Sequence, residues 1–388
     1  MIFKESERLN SIPPYLFAEI DEIIKKKKQE GFDIISLGIG DPDLKTPDIV
    51  VEELKRQADN PENHRYPSSY GLEALKKAAS GFYKKRFDVE IDPESEVISL
   101  WGSKEGIANI AYTFVNPGDI VLAPDPSYPV YKIGTMFAGG KTVSIPLKEE
   151  NGYLIDFNEI DLADAEKAKI IHVNYPNNPT SAGCGIEFFE KLADFALANN
   201  ILVCHDNAYG DIYSEKDNKP VSFLNARNSK KTGIEFYSLS KSFNMTGWRI
   251  SIATGNQSAI SSLGKYKSNV DSGVFNAVQY AAAKALDNYD ELISINNEIY
   301  NRRRAKVWNM LDKIGLSYFK SKKTIYVWTK VPEGYTSVSF AKLLLDKASV
   351  VVTPGSAYGL CGEGFFRISL TISDERLEEA IDRISNVF

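Results

Sequence analysis

The sequence of 388 residues is poor in the side chains that build disulfide frameworks and metal sites, with three cysteines and three histidines. The cysteines, Cys184, Cys204 and Cys361, are odd in number and far apart, which argues against a disulfide framework and is typical of a reducing compartment. The histidines form no pair at metal-ligand spacing and no Cys-x-x-Cys motif occurs. We therefore expect no metal site.

Long apolar runs and an excess of positive charge are also missing. No run approaches the roughly 18 apolar residues of a membrane-spanning helix, and the first residues lack the apolar region of a secretory signal. A net charge of −6 gives no broad attraction to nucleic acid or anionic lipid, which requires clustered Lys and Arg. We expect a cytoplasmic protein that binds neither nucleic acid nor membranes.

The composition that remains is that of an ordinary globular protein, with 43% hydrophobic and 25% charged residues. Because single cores stop growing at roughly 250 to 300 residues, two lobes are expected. Short apolar runs alternate with amphipathic stretches from about residue 95 to 255, which predicts βαβ units and a mostly parallel sheet. The predicted strands are 97–100, 120–123, 169–173, 201–205, 235–239 and 250–253, and helices 104–115 and 186–198 lie between them.

The pattern changes after about residue 275. Long helical patterns cover 275–286 and 289–311, and strand-like runs follow at 324–328, 350–353 and 365–370. This order is typical of a separate α+β lobe. The run Arg302-Arg303-Arg304 is expected on the solvated face of the second helix.

Lys241 lies in Ser-Leu-Ser-Lys, at the end of a predicted strand, where an α/β sheet presents its ligands. A desolvated lysine loses proton affinity and becomes a nucleophile toward an aldehyde. Nearby Ser238, Ser240 and Arg249 supply hydroxyl and guanidinium donors for a phosphate group. The alternative is an ordinary lysine in a surface loop.

Asp206 and Tyr209 follow another predicted strand, in Asp-Asn-Ala-Tyr. A buried carboxylate can keep a pyridine nitrogen protonated, so that the ring acts as an electron sink, and a phenol can donate to the ring hydroxyl oxygen. Asn178, held between two prolines after strand 169–173, offers an amide to the same oxygen. An Asp that caps a turn and a turn-forming Asn are the alternatives.

Three further motifs predict parts of the same site. Ser103 and Lys104 stand at a strand-to-helix junction, where a helix N-terminus attracts anions. Tyr128, held between prolines, is a platform for stacking on a flat ring. Arg367 is a lone cation in an apolar strand, suited to a substrate carboxylate or to a buried glutamate.

Taken together and in this order, the motifs resemble the class I aminotransferases of the fold-type I pyridoxal 5′-phosphate (PLP) enzymes, over essentially the whole chain. The resemblance implies a large α/β domain at 45–274 and a small α+β domain built from 1–44 and 275–388. It implies PLP as cofactor, with Lys241 as its Schiff-base lysine and proton shuttle and Asp206 at the pyridine nitrogen. The other cofactor residues it implies are Tyr209 and Asn178 at O3′, Tyr128 on the ring, and Ser103, Lys104, Ser238, Ser240 and Arg249 at the phosphate.

The family resemblance also implies a homodimer with shared active sites, in which Tyr66 reaches the phosphate of the neighbouring subunit. Several segments, among them Gly38-Ile39-Gly40-Asp41-Pro42-Asp43, resemble the LL-diaminopimelate aminotransferase subfamily. In that subfamily the residues matching Tyr15, Gly40, Lys104, Tyr128, Asn178, Asn276 and Arg367 bind the substrate. The expected reaction moves an amino group from an amino acid to a 2-oxo acid such as 2-oxoglutarate.

Three departures from the family pattern leave the exact substrate open: Ser181 and Ser251 stand where glycine is usual, and Asn207 where an acidic residue is common. Aspartate, an aromatic amino acid and N-acyl-diaminopimelate remain alternative amino donors. A PLP lyase that cleaves a carbon–sulfur bond is an alternative reaction on the same fold. The other alternative is a non-enzymatic regulator that uses this fold as a ligand sensor. Such a protein would need a DNA-binding extension, and we do not expect the 388 residues to form one.

Overall fold

A computed structural model describes residues 3–12, 16–214 and 219–388. Its strands are Ile35–Ser36 (β1), Val97–Leu100 (β2), Ile120–Asp125 (β3), Lys141–Pro146 (β4), Ala168–Val173 (β5), Leu202–Asn207 (β6), Gly233–Ser238 (β7), Ser251–Gly255 (β8), Tyr326–Lys330 (β9), Val350–Val351 (β10), Thr353–Pro354 (β11) and Phe365–Ser369 (β12). Its α-helices are Glu7–Asn10 (α1), Leu16–Gln29 (α2), Asp48–Ala58 (α3), Glu73–Phe87 (α4), Ser103–Phe114 (α5), Val130–Phe137 (α6), Leu162–Lys167 (α7), Ile186–Asn199 (α8), Ser229–Thr232 (α9), Leu239–Ser242 (α10), Gln257–Lys267 (α11), Asn276–Asp287 (α12), Tyr289–Ile314 (α13), Ser337–Ala348 (α14) and Asp374–Ser385 (α15). Within these ranges no helix is both long and apolar enough to cross a membrane.

The central sheet has seven strands in the order β4-β3-β5-β6-β7-β8-β2. The pairs from β4 to β7 are parallel, whereas β8 runs antiparallel to β7 and to β2. Because β8 reverses the direction twice, β2 again points the same way as β7. The mostly parallel sheet that the alternation predicts is confirmed, and helices flank it in the fold-type I arrangement.

Strand β4 is the one strand of this sheet that the sequence analysis does not predict. It lies at the edge, and its residues are mostly partly or fully exposed. A strand that faces water lacks the continuous apolar run of a buried strand, so apolar patterning alone does not detect it. All four residues of β2, by contrast, are buried, and its predicted bounds match the structure.

A smaller set of strands is built from both ends of the chain. Strands β11, β12 and β9 form an antiparallel sheet, and β1 pairs in parallel with β10. Helix α12, which the sequence analysis assigns to the small domain, packs on α3 and α4, and its alanines join the core of the large sheet. The domain bounds stay a prediction. The packing of α12 bears on the predicted boundary at residue 275, because this helix follows the boundary but contacts the large domain.

The arginine run of helix α13 differs from its expected solvated position, because two of the three side chains are buried. Arg303 donates to both carboxylate oxygens of Asp43, at 2.7 and 2.8 Å, and Arg304 donates to the carbonyl oxygen of Thr324 at 2.6 Å. These hydrogen bonds connect the helix to the N-terminal segment and to Thr324, which lies just before strand β9. The helical periodicity of the sequence does not reveal that these two charges are buried.

Candidate functional site

A cavity of about 290 Å³ opens at the carboxyl edge of the large sheet, beside the small sheet. Parallel strands end at the same edge, so the loops that follow them meet there. The cavity is lined by Ile39, Gly40, Asp41, Ser103, Lys104, Tyr128, Asn174, Asn178, Asp206, Ala208, Tyr209, Ser238, Ser240, Lys241, Thr246, Arg249, Tyr326 and Arg367. The structure thus brings together most of the residues that the sequence motifs single out.

Lys241 enters the cavity from the short helix α10, which follows β7 directly. Its Nζ donates to the carbonyl oxygen of Gly40 at 2.6 Å. Burial is the main cause that lowers the pKa of this lysine to about 8, and the charge of Asp41 opposes this shift while those of Arg367 and Arg249 add to it. A sizeable fraction of neutral amine therefore exists near neutral pH, as a nucleophile or general base requires.

Asp206 lies at the end of β6, fully enclosed by protein. Its Oδ2 accepts a hydrogen bond from the Tyr131 hydroxyl at 2.8 Å, whereas its Oδ1 has no hydrogen-bond partner among the described residues. Burial raises the pKa of Asp206 to about 6, although Tyr131 and His205 oppose the rise. A buried carboxylate oxygen without a donor is unfavourable unless a ligand supplies one.

An anion-binding cup forms where helix α5 begins. Gly102, with φ +81°, precedes the helix, and a side chain there would collide with the guanidinium of Arg249. The Ser103 hydroxyl is buried without a partner among the described residues, at a helix start whose dipole favours an anion. Arg249 itself has a left-handed backbone, with φ 55°, and donates to the carbonyl oxygen of Thr246 at 2.7 Å.

Asn178 and Arg367 are joined across the cavity wall. Arg367 donates to Oδ1 of Asn178 at 2.7 Å and to the carbonyl oxygen of Gly38 at 2.6 Å. The backbone N–H of Asn178 donates to Oδ1 of Asn174 at 2.7 Å, and the Asn174 amide donates to the carbonyl oxygen of Asp206 at 2.6 Å. The loop after β5 is thereby tied to both the end of β6 and strand β12.

Two of the described residues predicted for the site, Tyr66 and Asn276, do not line this cavity. Tyr66 is 91% exposed, and Asn276 is buried at the start of α12 with its Oδ1 unpaired among the described residues. Tyr15 lies outside the described residues. Their assignment stays a prediction, and for Tyr66 the exposure is what a residue directed at a neighbouring subunit requires.

Sequence reasoning also missed several residues at the cavity. Asn174 lines the cavity and directly follows β5, and Tyr131, which donates to Asp206, stands within the same proline-rich stretch as Tyr128, so local signals existed for both. Asp41 and Thr246 adjoin motifs that had been singled out for neighbouring residues. Tyr326 is different: it begins an apolar strand far along the chain, and no motif marks it.

The arrangement fits a flat aromatic cation that carries an aldehyde and a phosphate. Asp206 presents an unpaired oxygen to a protonated ring nitrogen, the cup between Ser103 and Arg249 suits a dianion, and Lys241 offers an amine of lowered pKa. Oδ1 of Asp206 and the Ser103 hydroxyl have no hydrogen-bond partner among the described residues, and such a ligand would supply one to each. These are the demands that PLP makes of a site.

Comparison with known proteins agrees with this chemistry. The sequence profile of the family described as aminotransferase class I and II matches residues 33–384. The chain is 52% identical to LL-diaminopimelate aminotransferase of Aquifex aeolicus, with all of both chains covered, and 49% identical to that of Dehalococcoides mccartyi, with 99% and 98% covered. It superimposes on apo-BacF from Bacillus subtilis with a TM-score of 0.95 at 40% identity, covering 100% of this chain and 98% of that one. The chain therefore belongs to the class I and II aminotransferases and is an enzyme of the transaminase type, whose family and fold imply dependence on PLP.

Proposed function

We propose that the chain is a PLP-dependent aminotransferase that takes its amino group from LL-diaminopimelate and passes it to a 2-oxo acid such as 2-oxoglutarate. One observation carries the cofactor assignment: the buried Asp206, with a free oxygen, lies in one cavity with Lys241 and the anion cup. Full-length relatives at about 50% identity that are named LL-diaminopimelate aminotransferases support the choice of donor.

In this proposal the cofactor is held by residues at the carboxyl ends of five strands, β2, β3, β5, β6 and β7, and by Arg249 just before β8. Lys241 holds its aldehyde carbon and Asp206 its ring nitrogen, while Tyr209 and Asn178 donate to O3′. The ring of Tyr128 stacks on the cofactor, and Ser103, Lys104, Ser238, Ser240 and Arg249 bind its phosphate. When bound, PLP supplies an electron sink that makes the Cα–H bond of an amino acid labile.

Lys241 then performs the proton transfer. Once the amino group of the substrate has replaced Lys241 at the aldehyde carbon, the freed, neutral Nζ would take the proton from Cα as general base and would then give it up to the cofactor as general acid. The pKa near 8 suits both roles, since an amine with this proton affinity exists in both protonation states near neutral pH.

Arg367 is proposed to bind the α-carboxylate of the substrate. Its guanidinium is buried in the cavity wall with one edge fixed by Asn178 and Gly38, which leaves a defined orientation for a carboxylate. Gly40, Lys104, Tyr128 and Asn178 complete the proposed substrate site within the described chain. Tyr15 and Asn276 are assigned to it by the family resemblance.

The proposal includes a homodimer in which each subunit supplies Tyr66 to the phosphate bound by its neighbour. The high exposure of this tyrosine, which does not line the cavity of its own subunit, supports the idea. The cytoplasm is the proposed compartment, since all three cysteines are unpaired. Sedimentation of the purified protein tests the dimer, which is wrong if the active species is a monomer.

The proposed function is tested by loading the purified protein with PLP, reducing it with borohydride and mapping the modified peptide. We expect the label on Lys241 and at least about a 10⁴-fold loss of turnover in Lys241→Ala. Lys265→Ala removes an exposed lysine from α11 and should change neither. Protein that binds no PLP, or a label on another lysine, would contradict the cofactor assignment.

A panel of amino donors tests the substrate. Conversion of bound cofactor to its pyridoxamine form is scored by absorbance for LL-diaminopimelate, its N-acetyl form, aspartate, glutamate and phenylalanine. Reaction with aspartate or phenylalanine alone sinks the diaminopimelate assignment but leaves the transaminase intact. Release of pyruvate and a thiol from cystathionine, without any 2-oxo acid acceptor, would instead indicate the lyase.

A further inference from the structure

Tyr326 lines the cavity, and the proposed function assigns it no role. It is the first residue of β9 and is 3% exposed, with its hydroxyl end at the cavity. Strand β9 belongs to the small sheet, whereas Lys241, Asp206 and Tyr209 follow strands of the large sheet. The side chain of Tyr326 thus reaches from the small sheet into the site.

The contacts of Tyr326 fall on three residues of the proposed site. Its hydroxyl oxygen lies 3.0 Å from that of Tyr209, and the two rings are tilted by 68° with centroids 5.6 Å apart. The guanidinium carbon of Arg367 lies 3.9 Å from the centre of the Tyr326 ring. A side chain at Gly40 would collide with the Tyr326 hydroxyl, so this tyrosine requires glycine there.

The direction of one hydrogen bond decides what Tyr209 can do. Each phenol has a single hydrogen, and either of the two hydroxyls can be the donor in their contact. If Tyr209 donates to Tyr326, its hydrogen is unavailable to the cofactor. If Tyr326 donates, the hydrogen of Tyr209 is free to point at an electron-rich oxygen in the cavity, and the two bonds strengthen each other.

The ring of Tyr326 has a second effect, on Arg367. A guanidinium stacked on an aromatic face keeps its plane parallel to the ring, which fixes the edge available to a carboxylate. The backbone of Tyr326 is itself fixed, because its N–H donates to Oγ1 of Thr324 at 3.1 Å and its carbonyl oxygen accepts from the Ser181 hydroxyl at 3.0 Å. Ser181 follows Asn178 in the same loop, so this contact joins β9 to the opposite wall.

We propose that Tyr326 is a positioning residue that acts on both halves of the site. Its hydroxyl donates to Tyr209 and so directs the Tyr209 hydrogen to O3′ of the cofactor, and its ring orients Arg367 toward the substrate carboxylate. The inference rests on the proposed function, since it needs O3′ and the carboxylate at these places. It adds to that function a residue that links Tyr209, the proposed hydrogen-bond donor to O3′, to Arg367, the proposed binding residue for the substrate carboxylate.

The hydroxyl is tested with Tyr326→Phe, which keeps the ring, by titrating the visible absorbance of the PLP-loaded protein against pH. A hydrogen bond to O3′ lowers the proton affinity of the cofactor, so its weakening should raise the midpoint, by about half a pH unit in this variant and by more in Tyr209→Phe. The double variant should titrate like Tyr209→Phe alone, because Tyr326 acts through that phenol. An unchanged midpoint in Tyr326→Phe, or additive shifts in the double variant, overturns this half of the proposal.

The ring is tested with Tyr326→Leu. We expect the KM for the amino donor to rise about tenfold above that of Tyr326→Phe, since only the leucine variant loses the stacking on Arg367. Equal KM values in the two variants would overturn the second half. Circular dichroism and thermal melting confirm that each variant is folded before kinetics are compared.

Tyr318→Phe is the matched control, since it removes a phenol hydroxyl from the same part of the chain. That hydroxyl donates to Asp312 at 3.2 Å, and Tyr318 does not line the cavity. It should leave both midpoint and KM unchanged. A wild-type protein without visible absorbance after PLP addition overturns the proposed function and this inference together. A normal wild-type titration with an unchanged Tyr326→Phe midpoint overturns the hydroxyl's role alone.

Discussion

Two buried carboxylates on neighbouring strands of the large sheet serve different purposes: Asp206 faces the cavity, and Glu235 stabilises the fold. Glu235 on β7 pairs in register with His205, and Asp206 is the next residue along β6. Because side chains alternate across a strand, these adjacent positions face opposite sides of the sheet. Both groups are buried, but the number of hydrogen-bond donors around each of them differs.

Glu235 is surrounded by donors. Its oxygens accept from the Tyr83 hydroxyl at 2.7 Å, the Asn207 amide at 2.9 Å, the Ser222 hydroxyl at 2.8 Å and the backbone of Phe223 at 3.0 Å, and His205 lies 2.7 Å away. Burial alone would raise the pKa of Glu235, but His205 and these donors lower it below its ordinary value. The hydrogen bonds of this carboxylate are satisfied within the protein, which indicates a structural role.

Asp206 has one donor, Tyr131, and a pKa raised to about 6. The comparison teaches that burial by itself does not mark a functional carboxylate. What marks it is burial combined with an unfilled hydrogen-bonding capacity that faces a cavity. The predictions below separate these two kinds of site, beginning with the largest expected effect.

Asp206→Asn should lower turnover at least about 10³-fold, because an amide cannot stabilise a protonated ring nitrogen as a carboxylate does. Glu235→Gln is the contrasting variant and should keep its activity per folded molecule within about threefold. Steady-state kinetics with saturating PLP check both values. Comparable losses in the two variants would show that the distinction between them is wrong.

Glu235→Gln should in turn lower the free energy of unfolding by about 4 kcal/mol, since it replaces a buried carboxylate that accepts several hydrogen bonds and turns one acceptor into a donor that faces other donors. Urea denaturation of the PLP-free protein gives the value. The control is Glu94→Gln, which removes an exposed carboxylate 3.5 Å from Lys76 and should cost under about 1 kcal/mol. A cost for Glu235→Gln no larger than that of the control would contradict the structural role.

Asp206→Asn should stabilise the PLP-free protein, and the gain should depend on pH. A carboxyl whose pKa rises from 3.8 unfolded to about 6 folded opposes folding by roughly 3 kcal/mol once it is ionised. The penalty is absent below about pH 4, grows as the pH rises to about 6, and is complete above it. Denaturation midpoints of the two proteins should therefore coincide at pH 4 and separate by pH 7.

Addition of PLP should make the wild-type protein more stable than Asp206→Asn, because ligand binding stabilises the wild-type protein more than the variant. A gain in stability at pH 4 as large as that at pH 7 would mean that ionisation of Asp206 is not its cause.

Gly102→Ala probes the anion cup and should weaken PLP binding about tenfold, since the added methyl group displaces Arg249 from the phosphate position. Gly118→Ala is a matched control: its φ is also positive, at +90°, but nothing lies within 4 Å of the position where the methyl group would stand. Both should lose about 1 kcal/mol of stability through backbone strain, and only the first should bind PLP less tightly. Fluorescence titration with PLP separates the two.

Much of the fold and site could be predicted because the information lies close together in the chain. The buried strand at Val97–Leu100 is a run of apolar residues, and Lys241, Asp206 and Asn178 each follow such a run directly. The edge strand Lys141–Pro146 could not be predicted in this way, since its exposed face carries no apolar pattern. Neither could the burial of Arg303 and Arg304, whose partners lie in distant segments.

By itself the sequence determined the elements, the order of the motifs and the residue types that PLP chemistry needs, because periodicity and turn propensity act between neighbours. Only the tertiary structure decided which carboxylate keeps a free oxygen, which lysine loses proton affinity, and that Tyr326 lies against Tyr209 and Arg367. Burial and hydrogen-bond satisfaction depend on residues that are distant in the chain, such as Tyr209 and Tyr326, and that meet when the sheets pack.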